Sequence, residues 1–420
     1  MSSIGGFEVV RDPLWNNIGI DAQALTVLDT PPFQRLRYVR QLGHAFLVYP
    51  GATHTRFEHA LGTYHLARRA LGVLQERGSL AAVDADEPAV IRLAALLHDI
   101  GHYPFSHALE EAGLPSHELL AREHLNQPEL ATTLAATGIP DLSERLGALI
   151  TGTSTSPLRG LISGALDLDK IEYLTRDAHM CGVPYGTVDV DRLLHSLVVV
   201  DTVAGTAVGL HEKGVSALES LLFAKYQMYR NVYWHHAVRS ATTMFKRVVR
   251  AAIAGGMLEA RWIGRSTDEA LMEALRALGD QPLAERLQRR RLYKRVLDLP
   301  ASEFTPGAGS WLADDPDLVA RVEDRLAEET GLAPGAVLLD FPRKPAMLAS
   351  DVPVLTRGGA VAPARLGIQQ VAEDLHTAAR RFRVYASEPG PLPAAALCTW
   401  VEASGADVKD RLDGGGAFLS

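Results

Sequence analysis

Apolar residues recur at helical spacing through most of the first 260 residues. Residues 56–78 place Phe57, Leu61 and Tyr64 among polar neighbours, which predicts an amphipathic helix. Residues 88–102 are almost continuously apolar as far as His98, which predicts a helix buried in the core. Further helices are predicted at 33–42, 104–112, 115–125, 127–137, 139–152, 162–180, 213–232 and 235–255. The pattern therefore indicates a mostly α-helical body.

Alternating apolar positions predict strands in a few places. Residues 197–210 predict a β-hairpin closed at Gly205, and residues 1–20 look irregular or extended. Beyond residue 260, strand candidates at 336–341, 352–355 and 382–387 are mixed with predicted helices at 315–330 and 367–380. The glycines at 414–416 predict a frayed end. We expect a helical core over 1–260 and a smaller α+β region over 261–420 that serves oligomerisation or regulation.

Composition limits the classes of partner. The 420 residues carry a net charge of −8, with 47% apolar and 22% charged residues, which is typical of a globular protein. The charge provides no basic field for nucleic acid, so an anionic substrate needs a local cluster of cations. The two cysteines favour a reducing compartment. Because neither a signal peptide nor a long apolar span is apparent, we expect a cytoplasmic protein without membrane contact.

Histidine and aspartate are concentrated around the buried helix. His98-Asp99 ends the apolar run, His59 lies on the helix before it, and Asp169 on a helix after it. A single buried His-Asp pair is more often an ordinary hydrogen-bonded pair. Here, however, three histidines and an aspartate fall within ten residues, and their desolvation is costly without partners. A divalent transition metal such as Zn, Fe, Mn or Co would resolve that cost.

A second set of ionisable residues follows. His102 lies one turn after His98, and His107 lies three residues before Glu110, a spacing suited to an acid–base pair. His117-Glu118 forms a further pair. The alternative for these side chains is a capping or surface role.

These motifs carry a family resemblance. Arg56-Phe57-Glu58-His59, His98-Asp99-Ile100-Gly101-His102 and Asp169-Lys170 resemble the signature of the HD phosphohydrolases. Residues 29–62 and 96–110 are similar to the deoxynucleoside triphosphate triphosphohydrolases of that superfamily. The resemblance implies four metal ligands, His59, His98, Asp99 and Asp169.

The resemblance also implies roles around the substrate. His102, His107 and His117 would act near the phosphates, with Glu110 and Glu118 beside them. Phosphate-binding positions would be Arg56, Lys170, Tyr173 and Lys225. Sugar-binding positions would be Gln41, Leu42, Asp177 at the 3′-hydroxyl, and Tyr233, whose ring would exclude a 2′-hydroxyl. Mg²⁺ on the substrate phosphates is a further possibility.

Regulation is implied by residues 29–37, which resemble a segment that binds a guanine nucleotide at a subunit interface. Asp29, Gln34 and Arg37 occupy the matching positions, which implies a homo-oligomer, either dimer or tetramer. Glu8 stands where the family usually has a lysine, so the activator could differ or be absent. We interpret Arg35 and Arg40 as solvated, His65 as structural, and the His235-His236 pair as no metal site.

The sequence therefore predicts hydrolysis of deoxynucleoside triphosphates to deoxynucleoside and inorganic triphosphate. The metal would polarise the α-phosphate, and His107 would protonate the leaving 5′-oxygen. Two alternatives stay open: another HD activity (nucleotidase, pyrophosphatase or single-strand nuclease), or a nucleotide-sensing module with little catalysis. Product analysis separates the first alternative, and metal content together with turnover separates the second.

Overall fold

The structure is a computed structural model, and helices dominate it, as predicted. It describes residues 3–4, 7–81, 83–164, 166–203, 205–279, 282–342, 352–359, 361–363, 374–375, 377–388, 390 and 392–419. The helices of the first part are α1 (Ala22–Leu28), α2 (Pro31–Gln34), α3 (Arg56–Glu76), α4 (Glu87–Leu97), α5 (His117–Leu125), α6 (Pro128–Ala135), α7 (Leu142–Ile150), α8 (Leu168–Cys181), α9 (Val190–Leu194), α10 (Val215–Met228) and α11 (His236–Ala254). Those of the second part are α12 (Ala260–Ile263), α13 (Asp268–Ala277), α14 (Pro282–Gln288), α15 (Trp311–Asp314), α16 (Pro316–Glu329), α17 (Ala394–Glu402) and α18 (Gly405–Asp413).

The described strands form three small sheets. They are β1 (Ser3–Ile4), β2 (Phe7–Asp12), β3 (Asn16–Ile20), β4 (Leu197–Thr202), β5 (Gly205–His211), β6 (Lys294–Pro300), β7 (Val337–Asp340), β8 (Pro353–Leu355), β9 (Val361–Pro363) and β10 (Arg381–Ala386). The first sheet is antiparallel in the order β1-β2-β3, and another is antiparallel in the order β6-β10-β7. The hairpin β4-β5 pairs with β8 in parallel, and β9 completes that sheet. The predicted hairpin at 197–210 is thus confirmed.

Three helices form the centre of the main core. α3 packs against α4 and α8, and the α4 side chains Val90, Ile91 and Leu97 are fully buried. α3 begins at a capping box, in which the Glu58 carboxylate accepts from the Thr55 backbone N–H and, at 2.6 Å, from its hydroxyl. This packing places one end of α4 between the start of α3 and the start of α8.

The predicted helix at 33–42 is wrong beyond Gln34. α2 ends at Gln34, a 3₁₀ turn covers Arg35–Tyr38, and Val39 is extended. The physical reason is Arg35, which is buried rather than solvated. Its guanidinium donates to the carbonyls of Ile100 and His102, each at 2.9 Å, and burial lowers its pKa to about 10. These hydrogen bonds of the buried Arg35 side chain override the regular helix that the local residue spacing favours.

A second core crosses residue 260. Phe105 and Leu109 pack with residues of α11, α13 and α14, as well as with Leu338 and Tyr385. Nearby, Arg239 of α11 makes paired hydrogen bonds of 2.6–3.0 Å to Asp340 and Glu111. The residues before and after 260 therefore share both apolar and ionic contacts.

Several predicted elements differ from those in the structure. The helix predicted at 104–112 shortens to a 3₁₀ turn at Ser106–Ala108, and the strands β6 and β9 were not predicted. The segment at 414–419 is not frayed, since Phe418 is fully buried and its N–H donates to Glu329 at 2.9 Å. Most of the helix expected at 367–380 lies outside the described residues. Among the residues that are described, no helix has both the length and the apolar character needed to cross a bilayer.

Candidate active site

Four predicted ligands meet where α3, α4 and α8 converge. The Nε2 atoms of His59 and His98 lie 3.1 Å apart, and Asp169 Oδ1 lies 3.0 Å and 3.5 Å from them. The Asp99 carboxylate lies 3.5 Å from His59 Nε2 and 3.3 Å from His98 Nε2. The structure thus brings together all four residues that the sequence singled out.

The other nitrogen of each imidazole fixes its orientation. His59 Nδ1 lies 2.6 Å from Glu172 Oε2, and His98 Nδ1 lies 2.9 Å from the Ala95 carbonyl oxygen. Because both partners are acceptors, each Nδ1 carries a proton, and each Nε2 can present a lone pair to a metal once it has lost its own proton. The two imidazoles are therefore held in the tautomer that a metal ligand requires.

The spacing and charge of this set fit a divalent ion. Ligand atoms ~2.1 Å from one ion lie about 3.0–3.4 Å apart, close to the separations observed. Burial opposes ionisation of both aspartates, but Arg56 lowers the pKa of Asp99, and His59 and His98 lower that of Asp169, well below the ordinary value. The same carboxylates, with Glu172, raise the pKa of His59 to about 10 against the effect of burial. The centre thus favours a cation, and a metal can replace the proton.

Glu172 is anchored by a second buried layer. Its Oε1 accepts from Arg176 Nε at 2.7 Å and from Trp15 Nε1 at 2.9 Å, and Arg176 also donates to Asp12 at 3.0 Å. Gly62 makes this approach possible, since a Cβ there would lie 2.0 Å from Glu172 Oε1. A glycine on α3 thus allows α8 to place its carboxylate behind His59.

Three histidines and the Glu110 carboxylate form a cluster next to the metal centre. His102 Nε2 lies 3.2 Å from Asp99 Oδ1, and its ring stacks on His117 with centroids 3.8 Å apart. Glu110 lies 2.7 Å from His117 Nδ1 and 3.3 Å from His107 Nδ1. Burial raises the pKa of Glu110, but His107 and His117 outweigh it and lower that pKa well below its ordinary value. Glu110 is therefore an anion that orients two imidazoles.

These histidines differ in environment. His102 is buried, and its pKa is lowered well below the ordinary value by burial, then by Arg56 and His117. The side chain of His107 is 58% exposed, so it faces the open side of the site. Glu118 lies at the edge, 3.5 Å from His117 Nε2. The site thus contains a neutral, buried imidazole at His102 and a solvent-accessible imidazole at His107.

Two local features shape the histidine cluster. Gly101 allows close approach of α5, because a Cβ there would lie 2.1 Å from the His117 carbonyl oxygen. Phe105 and Ser106 both adopt left-handed backbone angles, with φ of 57° and 59°. Such conformations cost about 1–3 kcal/mol each in non-glycine residues and persist only where neighbours impose them. The turn that carries His107 is therefore held under strain.

The predicted phosphate-binding cations take different positions. Arg56 is buried and donates to Asp99 Oδ2 at 2.6 Å and to Ser106 at 3.2 Å, so it joins the two clusters. Lys170 donates to the Gly164 carbonyl at 2.8 Å and pairs with Asp167. Burial, followed by repulsion from Lys170, lowers the pKa of Lys225 to about 8. An anion beside these two lysines would stabilise their charged forms.

The predicted sugar-binding residues form an aromatic and acidic wall. Tyr233 donates its hydroxyl to Asp177 Oδ2 at 2.7 Å, and its ring centroid lies 6.4 Å from that of Tyr173. The other oxygen of Asp177 lies 2.8 Å from His54 Nε2. Gln41 is buried, and its backbone N–H donates to the His54 carbonyl at 3.0 Å, with the half-buried Leu42 beside it. His54 thus connects both sides of this wall.

Several supporting residues were missed from the sequence, and two of them contact motif residues directly. Glu172 lies three residues after Asp169, on the same face of α8, and this spacing was a usable signal. His54 lies in a loop and gave no periodic signal. Both act on residues that the motifs did identify.

The predicted regulatory residues lie near the surface. Gln34 accepts from Arg37 Nε at 2.8 Å, and the Arg37 guanidinium lies 3.5 Å from the centroid of the Phe57 ring. Asp29 is exposed. Arg40, interpreted above as solvated, instead pairs with Asp268 at 3.2 Å and with Glu269 at 2.5 Å.

Comparison with known families agrees with this geometry. The HD domain model matches residues 56–172, and the model of the HD associated region matches residues 188–388. The site is thus that of an HD-superfamily phosphohydrolase, a class that binds a divalent metal. The chain belongs to the family in which an HD domain is combined with an HD associated region.

Several relatives share long segments with this chain. "Uncharacterized protein MJ1154" of Methanocaldococcus jannaschii is 36% identical over 77% of this chain and 67% of its own length. "Deoxynucleoside triphosphate triphosphohydrolase SAMHD1" of Bos taurus is 28% identical over 56% of this chain and 46% of that protein. The chain spans about two thirds of the first relative and less than half of the second. A crystal structure of a hypothetical protein from Aquifex aeolicus, 28% identical, matches with a TM-score of 0.70 over 91% of this chain and 96% of that one.

The contact between Glu172 and His59 generates a prediction about metal affinity. Glu172→Gln should weaken metal binding by about 10–100-fold, because the amide no longer fixes the tautomer and basicity of His59. Competition with a chelator, followed by metal analysis of the protein, measures the change. Asp191→Asn, at an exposed position on α9, is the control and should leave the affinity unchanged. Wild-type affinity in a folded Glu172→Gln variant would contradict the assigned role.

Proposed function

We propose that this protein hydrolyses deoxynucleoside triphosphates to deoxynucleoside and inorganic triphosphate. The observation that carries the proposal is the direct connection of the metal centre to the histidine cluster, through the 3.2 Å contact between Asp99 and His102. The SAMHD1 relatives, 26–28% identical, are named for this reaction. A positioned acid and a cation centre are the parts that phosphoryl transfer requires.

The four ligands would hold one divalent ion, which when bound polarises a phosphoryl oxygen and makes water more acidic. His107 would donate its proton to the 5′-oxygen as that oxygen leaves the α-phosphorus. Glu110 orients His107 and stabilises its charged form before the transfer. Lys170 and Lys225, with Tyr173 nearby, would bind the outer phosphates. Arg56 would hold Asp99 and the turn at Ser106, in addition to any phosphate contact.

Attack at the α-phosphorus has a distinct isotopic outcome. Hydrolysis of a dNTP in ¹⁸O-water should place the heavy oxygen on the released triphosphate, because the bond to the 5′-oxygen breaks. Mass spectrometry of both products measures this directly. Asp99→Ala, which removes a ligand, should show neither metal nor turnover while it keeps the helical fold. Monophosphate and pyrophosphate as the main products would overturn the proposal.

The position of Tyr233 generates a test of sugar selectivity. We expect Tyr233→Ala to reduce the preference for dNTPs over NTPs by about tenfold or more, because steric exclusion of a hydroxyl would be lost. Tyr233→Phe is the matched control: it removes the hydrogen bond to Asp177 but keeps the ring, so most of the selectivity should remain. Relative kcat/KM values for dATP and ATP measure the effect. Equal loss in both variants would assign selectivity to the hydroxyl rather than to the ring.

We also propose that a guanine nucleotide binds at Asp29, Gln34 and Arg37 and promotes a homo-oligomer. The exposed carboxylate of Asp29 suits the donors of a guanine base, and the exposed guanidinium of Arg37 suits phosphate. Turnover of dATP should rise when dGTP or GTP is added, and sedimentation velocity should show larger species. A fully active monomer, indifferent to a second nucleotide, would refute regulation while leaving the catalytic proposal intact.

A further inference from the structure

Asp268 lies outside the HD domain match yet contacts the turn that carries His107. It begins α13, and its carboxylate is completely buried. Oδ1 accepts from the Phe105 backbone N–H at 2.8 Å, and Oδ2 accepts from the Arg40 backbone N–H at 3.0 Å. One carboxylate thus holds two backbone segments that flank the site.

The first of these segments is the strained one. Phe105 and Ser106 have positive φ, and His107 follows at once. The hydrogen bond from the Phe105 N–H to Asp268 anchors a backbone segment whose left-handed conformation sterics oppose. Because His107 is the next residue but one, the same bond fixes the direction from which its imidazole enters the site.

The second segment leads to Gln41 and is tied to the same turn. Ser106 donates its hydroxyl to the carbonyls of Arg40 and Gln41, at 2.7 Å and 2.9 Å. Arg56, which contacts Asp99, also donates to Ser106. Asp268 thus belongs to a network of hydrogen bonds. Through Ser106 this network joins the Phe105-Ser106 turn to the Arg40-Gln41 segment and, through Arg56, to Asp99 of the metal centre.

Ser266, two residues before Asp268, supports the other end of the same stretch. Its carbonyl accepts from Arg35 at 3.1 Å, and Arg35 also donates to the carbonyls of Ile100 and His102. The stretch from Ile100 to Phe105 is consequently held at both ends by the residues that precede and begin α13.

We infer that Asp268 is a positioning residue for phosphohydrolysis, which acts by holding the Phe105-Ser106 turn in the conformation that places His107. The HD associated region thereby supplies part of the catalytic geometry. The inference depends on the proposed function for the role of His107 and for the assay substrate.

The test compares Asp268→Asn with Glu269→Gln. Both variants remove one negative charge beside Arg40, but the Glu269 side chain is exposed and pairs with the Arg40 side chain. An amide at 268 can accept only one of the two backbone N–H groups, because its NH₂ is a donor. We expect kcat to fall at least tenfold in Asp268→Asn, with KM within threefold and metal content unchanged. Glu269→Gln should keep kcat within twofold of the wild type.

Thermal unfolding of each variant separates positioning from stability, with kinetics measured well below the unfolding midpoint. A folded, metal-loaded Asp268→Asn variant with kcat within threefold of the wild type would overturn the inference, as would an equal loss in Glu269→Gln. If Asp268→Asn does not fold, Asp268→Glu is judged by the same criteria, since it keeps both acceptors but moves them. Failure of both variants to fold would assign a structural role and reject positioning.

The wild-type enzyme tests the proposed function separately. Turnover of dATP to deoxyadenosine and triphosphate supports that function, whatever the variants do. If the wild type does not hydrolyse dATP, the comparison is made with bis(p-nitrophenyl) phosphate, a general phosphodiester. The ratio of variant to wild-type kcat then decides the role of Asp268 alone.

Discussion

The rest of the structure depends on one constraint: the imidazoles of His59 and His98 and the carboxylates of Asp99 and Asp169 lie in contact where three helices converge. Ionised groups in an apolar core are unstable unless each has a partner of opposite charge or a metal. His59 and His98 meet this requirement when their Nε2 atoms face the carboxylates. That ring orientation is fixed by an acceptor at each Nδ1 atom, which is Glu172 for His59 and the Ala95 carbonyl for His98. The residues packed around the centre supply and hold these acceptors.

These supporting residues come from distant parts of the chain. Asp12 and Trp15 hold the Arg176–Glu172 pair that orients His59. Close backbone approach is part of the same solution, and at Gly62 it requires a residue without a side chain. The N-terminal hairpin, α3 and α8 therefore behave as one support for a single imidazole.

The sequence predicted the centre better than its supports. Candidate ligands such as His59 and Asp169 stood out because ionisable residues are rare beside apolar helical runs. By contrast, Arg35 was misjudged, since its burial depends on the carbonyls of Ile100 and His102, which no local pattern reveals. His54 was missed for a similar reason, because its partner Asp177 lies 123 residues away.

The secondary structure was also predictable where the pattern is local and not where tertiary contacts decide it. Long amphipathic segments such as α3 were predictable, because their pattern is local and repeated. The turn at Phe105 was predicted as helix, but its backbone adopts left-handed angles under contacts from α13. Tertiary contacts thus overrode local preference at the place where the chain passes the site.

The residues matched by the HD domain contain all four predicted ligands and all three clustered histidines, but they do not contain all of the contacts that hold them. Asp12, Trp15 and Arg35 precede the match, and Asp268 follows it. Residues 103–109 also bury their apolar side chains against α11 and α13. A segment limited to residues 56–172 would therefore expose this apolar surface and leave the strained turn without its buried acceptor. The motif identifies the candidate ligands and histidines, whereas the geometry that brings them together depends also on the chain before and after the motif.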